Sequence, residues 1–281
     1  MLFEKQTLNC RGRLLSLEKP LVMGILNVTP DSFFDGGQFT SLDAILLQTE
    51  KMLREGASII DVGGMSSRPG AQLVDETEEL KRVLPVVELI AKEFPETVIS
   101  IDTVRSEVAR LGVEAGARIV NDISAGRFDA KMYETVASLQ VPYVLMHMQG
   151  EPQTMQSQPR YENVVREVLD FFIREISRLR QAGVTDIILD PGFGFGKTVE
   201  HNYQLLKNLH LFRITELPVL AGISRKSMIC KVLGVTPDKA LNGTTALHLV
   251  ALQQGAKILR VHDVKEAVEV IRLWEQLENV N

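Results

Sequence analysis

The sequence predicts an α/β fold closed as a (β/α)8 barrel (a TIM barrel), with a short N-terminal hairpin across the barrel bottom. Three observations predict it. Eight short apolar runs recur along the 281 residues, and each ends in a polar residue. Helical stripes of apolar residues fill the gaps between them. Four helix-to-strand joins, "EGASII", "EAGARIV", "QAGVTDII" and "QQGAKIL", share a Gly where a helix must turn left-handed before the next strand. About 250 residues is an ordinary size for such a barrel, so residues 1–281 read as a single domain.

The apolar runs are, in order, "LVMGILN" to Asn27, "SIIDVGG" around Asp61, "VISID" to Asp102 and "RIVND" to Asn121 and Asp122. Then come "PYVLMH" to His147, "DIILD" to Asp190, "PVLAGIS" to Ser224 and "KILRVHD" through Arg260, His262 and Asp263. Near-continuous apolar runs suit strands covered on both faces, as in a parallel sheet. An open doubly wound sheet is the alternative. The count of eight, and the lack of a Gly-rich dinucleotide turn after the first run, favour the barrel.

The helices follow from periodicity and caps. Ser41 is a candidate cap for a helix with Leu42, Ile45, Leu46, Thr49 and Leu53 on one face, ended by Gly56. Asp75 with Glu78 forms a capping pair for a helix running towards Phe94, in which Pro85 predicts a kink or a restart. Val165, Val168, Leu169, Phe172, Ile176 and Leu179 make another stripe, ended by Gly183. A last helix is predicted from Val264 to Leu277. The first twenty residues, with Gly12 at a turn, read as the closing hairpin.

Composition excludes several classes. The net charge is −5 and no long basic run appears, so nucleic acid is not an expected partner. No apolar stretch approaches the roughly 20 residues of a membrane helix, and the N-terminus lacks a signal-peptide layout. Cys10 and Cys230 are far apart in sequence and read as reduced thiols of a cytoplasmic protein.

In a barrel of this kind the active site lies at the C-terminal ends of the strands. Asp61, Asp102, Asp122 and Asp190 are expected to converge there, and four carboxylates need cations or donors among them. Ser224, Arg225, Lys226 and Ser227 after the seventh strand, Arg260 and His262 on the eighth, and Ser66, Ser67 and Arg68 after the second supply donors. The loops after strands seven and eight commonly take a phosphate. An anionic group on one side, and a heterocycle rich in N–H donors on the other, are therefore expected. "LDPGFGFGKT" is not a nucleotide phosphate loop: Pro191 occupies the position that needs the first Gly, and it has no N–H. Its glycines are expected to let the loop turn close to a ligand, and its Gly-Lys-Thr tail reads as coincidence.

With these residues in place, the sequence resembles the dihydropteroate synthases of folate biosynthesis. The resemblance runs from about Leu21 to Leu277. Its motifs are "GILNVTPDSFFDGG", "IIDVGGMSSRPGA", "ISIDT", "IVNDIS", "LMHMQG", "LDPGFGFGKT", "SRKSM" and "ILRVHDV", in the family's order. It implies a homodimer that joins 6-hydroxymethyl-7,8-dihydropterin diphosphate to p-aminobenzoate with Mg2+. It further implies that Asp102, Asn121, Asp190 and Lys226 bind the pterin and that Asn27 helps hold Mg2+. Ser67, Arg68, Arg260 and His262 would hold the diphosphate and, nearby, the aminobenzoate; Phe195, Pro69 and Ser227 would line the aminobenzoate pocket. The loop "TPDSFFDGG" would close over the site, with Phe33 on the second substrate and Asp35 near the developing charge.

Three positions depart from the family's usual wording. Met65 stands for a common Glu, so a supporting role of that carboxylate is absent; Ser67 stands for Thr and keeps the hydroxyl; Phe34 makes the closing loop bulkier. Another pterin-binding barrel, such as a corrinoid-dependent methyltransferase, would not need the cluster of Arg68, Arg260 and His262. A non-catalytic homologue would be expected to have lost rim residues, and Schiff-base chemistry at Lys226 fits poorly beside Arg225. His147 reads as a packed or hydrogen-bonded structural residue, as do His201, His210 and His248 unless they are solvated. Asp61 supports a metal or locks Asn27, and Asp122 and Asp263 read as helix caps.

Overall fold

In the computed structural model of the protein, residues 5–28, 41–65, 74–151, 155 and 159–280 are described. The chain begins with a hairpin. Strands β1 (Thr7–Cys10) and β2 (Arg13–Ser16) pair antiparallel, joined at Arg11 and Gly12, both with positive φ (55° and 90°). Two left-handed residues in succession give the turn whose twist matches its strands.

Eight parallel strands follow and close on themselves: β3 (Leu21–Asn27), β4 (Ile59–Gly63), β5 (Val98–Asp102), β6 (Ile119–Asp122), β7 (Tyr143–Met146), β8 (Ile187–Asp190), β9 (Val219–Ala221) and β10 (Ala256–Val261). β10 lies between β9 and β3, which completes the predicted barrel. Early residues of all eight strands (Met23, Ile59, Val98, Ile119, Val144, Ile188, Leu220 and Ile258) form one apolar cluster with Leu8, Cys10 and Leu17. The hairpin therefore seals the N-terminal mouth, and the other mouth remains for chemistry.

The helices form the outer layer: α1 (Ser41–Arg54), α2 (Glu76–Glu93), α3 (Ser106–Glu114), α4 (Met132–Leu139), α5 (Val164–Ala182), α6 (Val199–Lys207), α7 (Ser227–Leu233), α8 (Leu241–Gln253) and α9 (Val264–Glu278). In α1 the buried residues are Ile45, Thr49 and Met52; Leu42, placed on that face by the sequence, is exposed. Asp75 caps α2, its Oδ1 accepting from Glu78 N at 2.8 Å. α2 runs unbroken through Pro85, so no restart occurs there. Its buried Val83, Val86, Val87 and Ile90 hold the turn that lacks one backbone donor.

The four predicted glycine joins all turn left-handed: Gly56, Gly116, Gly183 and Gly255 have φ of 103°, 128°, 100° and 94°. At these positions a side chain would strain the backbone, and glycine lets helix pass to strand within a few residues. Among the described residues, no helix is long and apolar enough to cross a membrane.

Candidate active site

The strand ends bring a polar set together because inward and outward side chains alternate along each strand. Parallel register places Asn27 beside Gly63, Gly63 beside Asp102, and Asp102 beside Asn121. Arg260 reaches across from β10. Its Nε donates to Asp61 Oδ2 at 2.7 Å and its Nη2 to Asp102 Oδ2 at 2.8 Å. Asn121 Nδ2 donates to the same Asp61 oxygen at 3.0 Å. Asp61 Oδ1 is buried with no hydrogen-bond partner among the described residues.

One guanidinium thus serves two carboxylates. Burial raises the Asp102 pKa to about 7; Arg260 works against this and Asp61 reinforces it. Burial works against the Arg260 charge, but Asp61 and Asp102 outweigh it and hold the guanidinium firmly charged. Asp102 is therefore poised to gain from any ligand that brings further N–H donors.

On the other side of the mouth, Asp190 Oδ1 accepts from Gly192 N at 2.7 Å. Burial raises the Asp190 pKa and lowers that of Lys226 to about 8, each group opposing the shift of the other. Lys226 Nζ donates to the carbonyl of Phe193 and lies 4.7 Å from the centre of the Phe195 ring. Phe195 belongs to an apolar cluster with Val104, Ile123, Met146, Met148 and Met155. The rim therefore pairs a polar, charge-bearing half with an apolar aromatic one, as expected of a mouth that takes two unlike ligands.

The loop after β8 departs from its reading in sequence. Gly192, Gly194 and Gly196 all have positive φ (67°, 85° and 63°). A Cβ on Gly192 would lie 1.9 Å from the His147 carbonyl oxygen, and one on Gly196 would lie 2.2 Å from that of Gln149. At those two positions the glycines serve the close approach of two loops rather than the approach of a ligand. The Gly-Lys-Thr tail is also structural. Lys197 is buried against the loop's own carbonyls, and Thr198 caps α6 in a capping box with His201. Lys197 went unnoticed in the sequence; its only signal was a cation inside an apolar, glycine-rich loop.

Several rim assignments change. Asp122 does not face the mouth. It follows Asn121 on the strand and so points to the opposite face, accepting from Tyr143 Oη at 2.7 Å and from the amides of Ser124 and Gly126. It caps a turn, not a helix. Arg225 is engaged by Asp263 through two hydrogen bonds, at 2.8 and 2.5 Å, and Asp263 makes no side-chain cap to α9. Asp61 bonds to Arg260 and Asn121 instead of Asn27. Ser224 Oγ lies 3.1 Å from His262 Nδ1 and accepts from His262 N at 3.2 Å, which joins the ends of β9 and β10. Ser227 is exposed at the first residue of α7. His147 is buried, with Lys197 on Nδ1 and Phe171 edge-on at 4.9 Å. Met65 does not leave its neighbourhood without a carboxylate: Arg105, 3.4 Å from Met65 Sδ, pairs with the buried Glu79. Phe33, Phe34, Asp35, Ser66, Ser67, Arg68 and Pro69 lie outside the described residues.

Among the described residues, no three His, Cys, Asp or Glu side chains gather to hold an ion. Asn27, half-buried at the end of β3, offers one neutral oxygen. Mg2+ keeps several waters and commonly takes one or two protein oxygens plus phosphate. Asn27 therefore supplies at most one ligand to such an ion.

A closed barrel whose C-terminal mouth carries buried carboxylates, an amide and a lysine defines an enzyme that holds a polar heterocycle, and the pterin binding enzyme family matches residues 23–262. The dihydropteroate synthase of Haemophilus influenzae is 49% identical over 274 residues, covering 97% of this chain and 99% of the relative. A Yersinia pestis dihydropteroate synthase solved with a sulfonamide drug superimposes with a TM-score of 0.92 at 46% identity, covering 98% of this chain and 100% of that one. The Xanthomonas albilineans dihydropteroate synthase in complex with 7,8-dihydropteroate has a TM-score of 0.89 at 41% identity, covering 98% of this chain and 100% of that one. The chain belongs to the dihydropteroate synthases of the pterin binding enzyme family.

Proposed function

We propose that this chain condenses 6-hydroxymethyl-7,8-dihydropterin diphosphate with p-aminobenzoate, giving 7,8-dihydropteroate and diphosphate. The observation that carries the reading is the arrangement of Asp102 and Asn121 on one side of the mouth, and Asp190 with Lys226 on the other. Carboxylates accept the parallel N–H donors of a pterin edge, while the Asn121 amide and Lys226 donate to its acceptors. The product held by the Xanthomonas albilineans relative supports it.

Arg260 and His262, with Ser67 and Arg68, take the diphosphate and flank the aminobenzoate. Phe195 and Ser227 line the second pocket, to which the family resemblance also assigns Pro69 and Phe33. Asn27 would help hold Mg2+, which would offset charge on the diphosphate. The bond to diphosphate breaks first, because the electron-rich dihydropterin ring spreads the positive charge left on its methylene. Asp35 stabilises that charge, and exclusion of water protects it from hydrolysis. The aromatic amine of p-aminobenzoate is unprotonated at neutral pH, so it requires positioning and no general base.

The working form is a cytoplasmic homodimer of single-domain chains. Free Cys10 and Cys230 suit a reducing compartment. Purified protein supplied with both substrates and Mg2+ tests the reaction directly. Release of diphosphate that depends on p-aminobenzoate supports it; no release with both substrates present removes it.

A further inference from the structure

We propose that Lys197 is the positioning residue of the aminobenzoate pocket, fixing the loop after β8 so that Phe195 faces Lys226, and that His147 fixes Lys197 in turn. The proposal rests on the function proposed above for this mouth. Lys197 is 3% exposed. Its Nζ lies 3.0 Å from the Gly192 carbonyl, 3.0 Å from that of Phe195, 3.2 Å from that of His147 and 2.9 Å from His147 Nδ1. Burial pushes the Lys197 amine well below the usual lysine range, with Asp190 opposing it; at most three N–H donors face four acceptors, so every donor has a partner. With Lys197 donating, His147 Nδ1 accepts and the ring proton is on Nε2.

The loop held in this way touches the site at three places. The Gly192 amide donates to Asp190, the Phe193 carbonyl accepts from Lys226, and the Phe195 ring lies beneath the Lys226 ammonium. The backbone of Asp190 is also fixed by its strand, where it pairs with Met146 of β7. Phe195 has no such ladder. It lies five residues beyond Asp190, on a segment with three left-handed glycines that places no intrinsic limit on its own course. A buried amine bonded to the carbonyls at both ends of Gly192–Phe195 clamps that segment, beside the bonds of the Gly194 amide to Asn202 Oδ1 at 2.7 Å and of the Phe195 amide to the Gly192 carbonyl at 3.1 Å. Losing it frees the aromatic wall, while Asp102, Asn121 and Asp190 keep the backbone positions their strands give them.

Lys197→Met keeps the length of the side chain and removes the donors. We expect the KM for p-aminobenzoate to rise about tenfold or more while the KM for the pterin diphosphate changes less than about threefold. Amide exchange between residues 192 and 195, measured without substrate, should accelerate. His147→Asn keeps an acceptor near the Nδ1 position and should stay within about threefold of wild type in both constants; His147→Leu removes it and should follow Lys197→Met. These two variants test the proposal if Lys197→Met does not fold. Equal rises in both KM values, or equal behaviour of His147→Asn and His147→Leu, overturn it, as does unchanged exchange in Lys197→Met. A wild-type chain that forms no dihydropteroate fails the functional reading and the pocket assignment with it; exchange still decides whether Lys197 fixes the loop.

Discussion

Arg260 on β10 donates its Nε hydrogen to Asp61 on β4 at 2.7 Å, passing over the strand β3 that lies between them. Asp61 is fully buried and receives Asn121 at the same oxygen. One carboxylate thereby sets the position of a proposed diphosphate ligand and of a proposed pterin ligand. Asp61→Asn keeps the shape and removes the charge. Because Arg260 retains Asp102, the loss is that of a charge-assisted bond, about 1.5–3 kcal/mol of stability in urea unfolding. The kcat/KM for the pterin diphosphate should fall roughly tenfold or more. Wild-type kinetics in a destabilised variant would confine Asp61 to a folding role.

The pH profile follows from Asp102 and Lys226. Asp102 accepts pterin N–H groups as a carboxylate, so kcat/KM should rise as pH passes about 7; Lys226 loses its charge above about 8, and kcat/KM should fall there. The two limbs give a narrow bell, and Asp102→Asn should remove the acid limb. Stability moves the other way in the acid range. Between the usual carboxylate pKa of about 4 and the raised value of about 7, the folded chain holds a proton that the unfolded chain has released, so this group's contribution declines as pH rises through that window. Urea midpoints of wild type and Asp102→Asn, compared from pH 5 to about pH 8, measure it.

Chelation of Mg2+ should weaken binding of the pterin diphosphate by about tenfold or more and leave the free pterin alcohol nearly unaffected, because only the diphosphate carries charge for the ion to offset. Calorimetry with and without chelator reads both. Equal weakening of the two ligands would mean that the ion supports the fold.

Gly192→Ala and Gly12→Ala form a controlled pair. Both positions have positive φ, at 67° and 90°. A Cβ at Gly12 meets nothing within 4 Å, so its cost is that of the left-handed backbone, about 1–2 kcal/mol. At Gly192 the new atom would lie 1.9 Å from the carbonyl oxygen of His147, and the loss should reach roughly 3 kcal/mol or more. Thermal unfolding of the two variants should separate them clearly. Similar losses would show that the two loops yield to each other easily.

The barrel, its strands and most helix ends were readable in the sequence because each depends on near neighbours. Buried parallel strands need apolar runs, and a helix that turns sharply into a strand needs a left-handed residue. Gly56, Gly116, Gly183 and Gly255 all meet that need. The strand-end residues Asn27, Asp102, Asn121 and Asp190 followed from the same periodicity, since a barrel gathers whatever ends its strands. What only the tertiary structure decided is which of those ends face inward and which partners they find. Asp122 faces away from the mouth because a strand alternates its side chains, and Arg225 is taken by Asp263, 38 residues later. Lys197 finds His147 50 residues earlier, and Arg260 finds Asp61 199 residues earlier. No local pattern encodes such pairs. A buried charge takes the partner that chain closure brings within reach, and the desolvation it would otherwise suffer makes that choice binding.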